Sequence, residues 1–106
     1  RMIVYGTSKG GVISFTRGLA LEMGRHSINV NCVCPGYVDT DMIRRDSIDK
    51  SNDPTAAEQR MIEYAPLKRI AMPAESSQSV LYLASSEARF VTGAELAIDG
   101  GSTAGR

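Results

Sequence analysis

Residues 3–36 read IVYGTSKGGVISFTRGLALEMGRHSINVNCVCPG. The stretch holds two periodicities in succession. Val12, Phe15, Leu19 and Met23 recur at i, i+3, i+7 and i+11, and Ile13 and Ala20 widen the same apolar stripe. That is a helix over about 3–24, with Gly24 as a C-terminal stop. INVNCVC, residues 28–34, then alternates. Ile28, Val30, Cys32 and Cys34 would share one face, and Asn29, Asn31 and Val33 the other, which predicts a strand ended by Pro35-Gly36. Inside the helix, Gly10, Gly11 and Gly18 are costly, at about 1 kcal/mol each relative to Ala. Either another backbone approaches there, or that surface is poorly optimised.

Outward from this pair of elements, GYVDTDM leads into a polar, charged stretch through about Pro54 with no strong period. It reads as a loop carrying one or two short helices. Thr55 is a candidate cap for a helix running to about Tyr64, and Pro66 ends it. A second clear helix is expected over 73–86. Pro73 suits its first turn, Glu75 suits its positive end, and Ser77, Val80, Leu81 and Ala84 line one side. FVTG and a strand over 95–98 follow, closing on Gly100 and Gly101. The order is helix, strand, variable loop, helix, strand, with no internal repeat and no visible domain boundary. Such alternation favours parallel strands joined by helical crossovers. Two strands are too little for a parallel sheet covered on both faces. Residues 1–106 are therefore expected to be the C-terminal part of a larger α/β domain.

Composition narrows the function classes. Of 106 residues, 42% are hydrophobic and 23% charged, ordinary values for a globular protein. Lys plus Arg and Asp plus Glu are equal at 12 each, which gives no bulk electrostatic reason to expect nucleic acid or an anionic membrane as partner. No apolar run approaches the roughly 20 residues that span a bilayer. No signal-peptide pattern stands at the N-terminus, so the cytoplasm is the expected location. Cys32 and Cys34 are too few for a metal site or a disulfide framework, and are expected to be reduced packing residues; no metal is expected.

Tyr-x-x-x-Lys occurs twice, at Tyr5–Lys9 and at Tyr64–Lys68. Residues i and i+4 share one face of a helix, and Tyr5 and Lys9 meet that condition. Pro66 breaks it for the second pair, since proline disfavours helix at the residue before it. A phenol is a poor proton-transfer group at neutral pH, with a pKa of about 10. A nearby ammonium favours the phenolate and makes acid/base work accessible. The bare motif is weak in a chain with four tyrosines, and an amphipathic helix end explains it equally well.

The surroundings of Tyr5 carry more weight. YGTSK at the start of a long helix resembles the active-site segment of the short-chain dehydrogenase/reductase family. PGYVDT resembles that family's Pro-Gly-x-Val-x-Thr segment, PLKRIAMPAE its loop and helix start, and SVLYLASSEARFVTGAELAIDGG its C-terminal signature. The resemblance covers nearly the whole chain. It implies the C-terminal part of a doubly wound Rossmann-type parallel sheet, with the N-terminal cofactor-binding half absent. It implies hydride transfer between NAD or NADP and a small-molecule ketone or secondary alcohol, and a homodimer or homotetramer with the Gly-bearing first helix at a close interface. Tyr5 would be the acid/base. Lys9 would stabilise its phenolate and hydrogen-bond the nicotinamide ribose. Pro35, Gly36 and Val38 would border the nicotinamide, Val38 through its backbone, and Thr40 would add a hydroxyl near the carboxamide or pyrophosphate. Residues 41–66 would be the substrate lid. The substrate stays open among a 3-oxoacyl thioester, a sugar, a steroid and a small cyclic ketone.

Parts of the family pattern have no match here. The Gly-x-x-x-Gly-x-Gly turn is missing, as Gly6, Gly10 and Gly11 lack its spacing. So are the residue that separates NAD from NADP, the Ser about a dozen positions before the Tyr, and the Asn of the proton relay. Ser8 is the small residue before Lys9, not that Ser. Gly10 and Gly11 replace frequent alanines, and Ala71 a frequent glycine. His26 suits a helix C-terminus. Asp39 and Asp41 suggest capping around Thr40–Met42 rather than metal binding. Arg44 and Arg45 are either a solvated pair or contacts for a phosphate. The rival to an enzyme is a non-catalytic interaction or oligomerisation module, or an inactive fragment.

Overall fold

The computed structural model describes residues 2–105. Arg1 and Arg106, the ends of the domain expected over 1–106, lie outside the described residues. The elements run α1 (Met2–Met23), β1 (Cys32–Pro35), α2 (Asp41–Ile43), α3 (Pro54–Tyr64), α4 (Pro73–Ala84) and β2 (Glu95–Ile98). β1 and β2 pair in a two-stranded sheet. Cys32 N–H donates to Ala94 O and Gly36 N–H to Ile98 O, at 3.0 and 3.1 Å, so the register advances in the same direction on both strands and the pair is parallel. The connection between them contains α2, α3 and α4, as a parallel pair requires a long crossover.

The chain divides into two compact units. One holds Arg1–Val33 and Ser79–Leu96, the other Cys34–Gln78 and Ala97–Arg106. In the first unit the ordered strand is shorter than the alternation over 28–34 suggests. Asparagines take the place of ladder partners before Cys32. Asn29 Nδ2 donates to Ala88 O and Asn31 Nδ2 to Val91 O, while Asn31 Oδ1 accepts from Ala94 N–H at 3.0 Å. Gly93, at φ +72°, donates to Val30 O. These side chains satisfy the backbone of the neighbouring loop and leave no regular ladder there.

Helix α1 is as long as its periodicity predicts, but its buried face is shifted. Ala20 of the expected stripe is buried and Ile13, Leu19 and Met23 are half-buried, but Val12 and Phe15 are exposed and Thr16 takes their place on the buried side. Thr16 can be buried because its Oγ1 donates to Val12 O at 2.9 Å. No described atom lies within 4 Å of a Cβ built at Gly10, Gly11 or Gly18, so the close backbone approach expected there is not present among the described residues. Helix α4 turns differently as well. Val80 and Leu81, expected on its lining side, are exposed, while Ser76, Ser79 and Leu83 are half-buried.

In the second unit the polar stretch is more ordered than a loop. Thr40 caps α2, accepting from Ile43 N–H, and α2 runs on as a π-helical turn, Arg44–Ile48. Asp53, not Thr55, caps α3. Its side chain accepts from Ala56 N–H at 2.9 Å and Pro54 opens the helix. Ala65 is extended before Pro66 and ends α3. Lys68 then sits at φ +55°; its N–H donates to Ala65 O and its Nζ to Glu63 O. The second Tyr-x-x-x-Lys is thus a helix terminus whose lysine is spent on orphan carbonyls.

Candidate active site

In the first unit, Tyr5 and Lys9 lie one turn apart on α1, and Lys9 Nζ is 5.5 Å from the Tyr5 ring centroid. That is cation–π range. Tyr5 is about half exposed. Ser8 is occupied elsewhere, since its hydroxyl donates to Tyr5 O at 2.8 Å within the helix. A phenol and an ammonium are therefore presented together on one helical face.

In the second unit, Pro35, Gly36, Val38 and Thr40 lie on the segment leaving β1. Gly36 is required by packing: a Cβ there would stand 2.9 Å from Asp99 Cα. Val38 forms an isolated parallel bridge with Ala71. The bridge uses the flanking groups, with Ala71 N–H donating to Tyr37 O and Asp39 N–H to Ala71 O. In extended backbone, alternate residues direct their polar groups to opposite edges, so the N–H and C=O of Val38 face the other way. Among the described residues, the Val38 N–H donates to none and its C=O accepts only from Thr40 Oγ1, at 3.3 Å. A paired donor and acceptor on one edge fits a primary carboxamide, as a nicotinamide carries. The Thr40 hydroxyl already caps α2 and donates to Val38 O, so its work is within the segment.

The electrostatics of this unit centre on Arg44, whose role the sequence reading left between solvation and phosphate contact. Its Nε and Nη2 hold both oxygens of Asp39, at 2.6 and 2.8 Å, and its Nη1 holds Glu58 Oε1 at 2.5 Å. Arg44 is neither free in solvent nor available to a phosphate. The Arg44 hydrogen bond, followed by its charge, holds the Asp39 carboxyl below the ordinary carboxylate range against partial desolvation. Hydrogen bonds from Asp39 and then Glu58 push the guanidinium further up. Arg45 makes an exposed pair with Asp41. The clamp ties the segment beside Val38 to α3. Arg44→Lys keeps the charge but loses the two-pronged fork. In that variant, amides at 39–41 and 55–58 exchange several-fold faster than in the wild type; unchanged exchange would show that the clamp restrains nothing.

A second bidentate pair fixes the start of α4. Arg69 Nη1 and Nη2 donate to Glu75 at 2.7 and 2.6 Å, and Glu75 Oε2 also accepts from Met72 N–H. That is the glutamate half of a capping box. Arg69, then the Met72 amide, lower the Glu75 carboxyl from 4.5 to about 2. A depressed acid contributes stability above its unfolded value and loses it as pH falls through the folded one. Local stability of residues 69–75 therefore declines between pH 4.5 and about 2. Glu75→Gln flattens that part of the profile, which amide exchange against pH measures.

At the close of β2, Asp99 accepts from Gly101 N–H, Thr103 N–H and Thr103 Oγ1, at 2.9, 2.9 and 2.7 Å. The Thr103 hydrogen bond is the largest cause of a lowered Asp99 carboxyl. Gly100 and Gly101 take φ +62° and +87° in this turn. Two cavities bordered by described residues of this unit bear on the site. One is bordered by Tyr37, Leu67, Arg69, Glu75 and Asp99; the other lies between α3 and the π-helical turn. No cluster of metal-ligating side chains occurs among the described residues. No described helix is long and apolar enough to cross a membrane.

Residues 1–103 match the family model described as Enoyl-(Acyl carrier protein) reductase. The chain belongs to the short-chain dehydrogenase/reductase family. It is 36% identical over 97 residues to the 3-oxoacyl-[acyl-carrier-protein] reductase FabG of Chlamydia trachomatis serovar D, covering 92% of this chain and 36% of that one. It is 40% identical over 102 residues to the oxidoreductase UcpA of Salmonella typhimurium, covering 93% and 38%. Among solved structures, a short chain dehydrogenase family protein from Francisella tularensis subsp. tularensis SCHU S4 superposes with a TM-score of 0.89 at 39% identity, over 94% of this chain and 43% of that chain. A 4-hydroxyisoleucine dehydrogenase complexed with NADH gives 0.83 at 33%, over 96% and 40%. The chain thus spans about two fifths of the length of these relatives. Its fold is the corresponding part of a Rossmann-type parallel α/β domain, and its relatives in the family are oxidoreductases.

Proposed function

We propose that this chain carries the proton-transfer and nicotinamide-contacting part of an NAD- or NADP-dependent oxidoreductase that interconverts a ketone and a secondary alcohol. The observation that carries the reading is the Tyr5–Lys9 pair, with the ammonium 5.5 Å from the phenol ring on one helical face. In this reading the Tyr5 oxygen gives its proton to the substrate carbonyl oxygen during reduction and takes it back from the alcohol during oxidation. Lys9 stabilises the phenolate left behind and holds a ribose hydroxyl. The N–H and C=O of Val38 hold a carboxamide, Pro35 and Gly36 form the wall beside it, and Thr40 fixes that segment by capping α2. A bound nicotinamide supplies or accepts the hydride. Residues 41–66 cover the substrate. The working protein is a cytoplasmic dimer or tetramer in this reading, with the glycines of α1 at the subunit contact.

Support comes from a relative described as an acyl-carrier-protein reductase, from a neighbour complexed with NADH and from another with bound NADP. The test is nicotinamide-linked turnover by the protein at its native length, on a panel of ketones and alcohols, with and without Tyr5→Phe. A second reading, a non-catalytic interaction module, is favoured by the apolar residues that α1 exposes, Ile3, Val4, Phe15 and Leu21. Absence of nucleotide binding in the same protein would favour it.

A further inference from the structure

The cavity between α3 and the π-helical turn has a volume of about 330 Å³ and is lined by Tyr37, Ser47, Ser51, Arg60, Met61 and Tyr64, with no carboxylate. Its charge balance is unusual for this unit. Arg44 is held by Asp39 and Glu58, Arg45 by Asp41, Lys50 by Asp46, Arg69 by Glu75, and Lys68 by the Glu63 carbonyl. Arg60 has no hydrogen-bond or ion-pair partner among the described residues, and neither does the Ser47 hydroxyl. Ser51 is engaged with Asp53. The opposite wall is apolar and aromatic, where the Tyr37 and Tyr64 rings meet edge to face at 5.9 Å between centroids.

We infer that this cavity is a carboxylate subsite, and that the substrate class is an oxo or hydroxy acid. The inference rests on the oxidoreductase reading above and names the substrate end that the lid would recognise. A planar guanidinium presents two parallel donors, the geometry of a carboxylate. Ser47 adds a third donor, and the tyrosines and Met61 pack the carbon skeleton behind the acid group. The volume lies at the small end of ligand sites, enough for the acid end of a substrate.

The test uses the protein at its native length and pairs short-chain oxo acids with their methyl esters, which remove the charge and add one methyl group. Dissociation constants are measured by calorimetry alongside kcat and KM. A charge-assisted contact of this kind favours the acid by about ten- to a hundredfold in Kd and KM, with little change in kcat. Arg60→Ala abolishes that preference, and Arg60→Lys, a point charge without the fork, restores part of it. Arg60 is exposed on α3, so both variants keep the fold. Equal binding of acid and ester, or a preference untouched by Arg60→Ala, overturns the inference, as does inorganic phosphate displacing the acids at lower concentration than they bind. Acid binding through Arg60 with no turnover of any oxo acid or neutral ketone keeps the subsite and rejects the oxidoreductase reading instead.

Discussion

Replacing Tyr5 by Phe is expected to reduce turnover by about a hundred- to ten-thousandfold, the range supplied by a positioned general acid/base. The substitution deletes one oxygen from a half-exposed ring and leaves the hydrophobic body of the side chain in place. Melting temperature and nucleotide affinity should therefore change little while kcat collapses. That separation is the informative part. A packing tyrosine would move stability and rate together or neither. Rates within a few-fold of wild type in Tyr5→Phe would remove the proton-transfer role from this helix, whatever else the protein does.

Gly36→Ala should give the largest loss of stability. The new methyl would meet Asp99 Cα at 2.9 Å, Asp99 Cβ at 3.1 Å and Asp99 O at 3.3 Å. Two of these three atoms are backbone, and none is the free end of a flexible side chain. The turn cannot yield easily either, because the Asp99 carboxylate is pinned to Gly101 and Thr103. Overpacking of this kind costs about 1–3 kcal/mol. Calorimetry should record a fall of several degrees in Tm, with loss of the Gly36-to-Ile98 hydrogen bond seen as faster exchange at that amide. An unchanged Tm would mean that β2 and its turn shift more freely than their hydrogen bonds imply.

The fold was legible in the sequence where one period dominated. The 3.6-residue repeat of α1 and the Pro35-Gly36 pair at the end of β1 marked real boundaries, because helix length and proline chemistry are local. Which side of α1 is buried was only partly legible: Ala20 of the stripe is buried, but Val12 and Phe15 are exposed and Thr16 is buried instead, because what settles burial is the neighbour. The early end of the strand pattern misled for a related reason. Asn29 and Asn31 fit an alternating run, yet their amides bond residues about sixty positions away, a pairing no local pattern encodes. That Tyr5 and Lys9 lie one turn apart on a single helical face followed from their spacing. The surroundings of Arg44 and Arg60 did not. Both are ordinary arginines in a polar stretch, and only three-dimensional placement separates the one saturated by two carboxylates from the one facing a cavity without any.

The bridge at Val38 has a bearing on how such a chain tolerates change. Its free amide edge is made of main chain, so the side chain at 38 can drift among β-branched residues without altering the donor and acceptor on that edge. The vulnerable position is remote in sequence. Ala71 holds the segment through its own N–H and C=O, and a proline there would delete the donor to Tyr37. A bridge written in backbone shifts the mutational burden from Val38 to the residue that braces it.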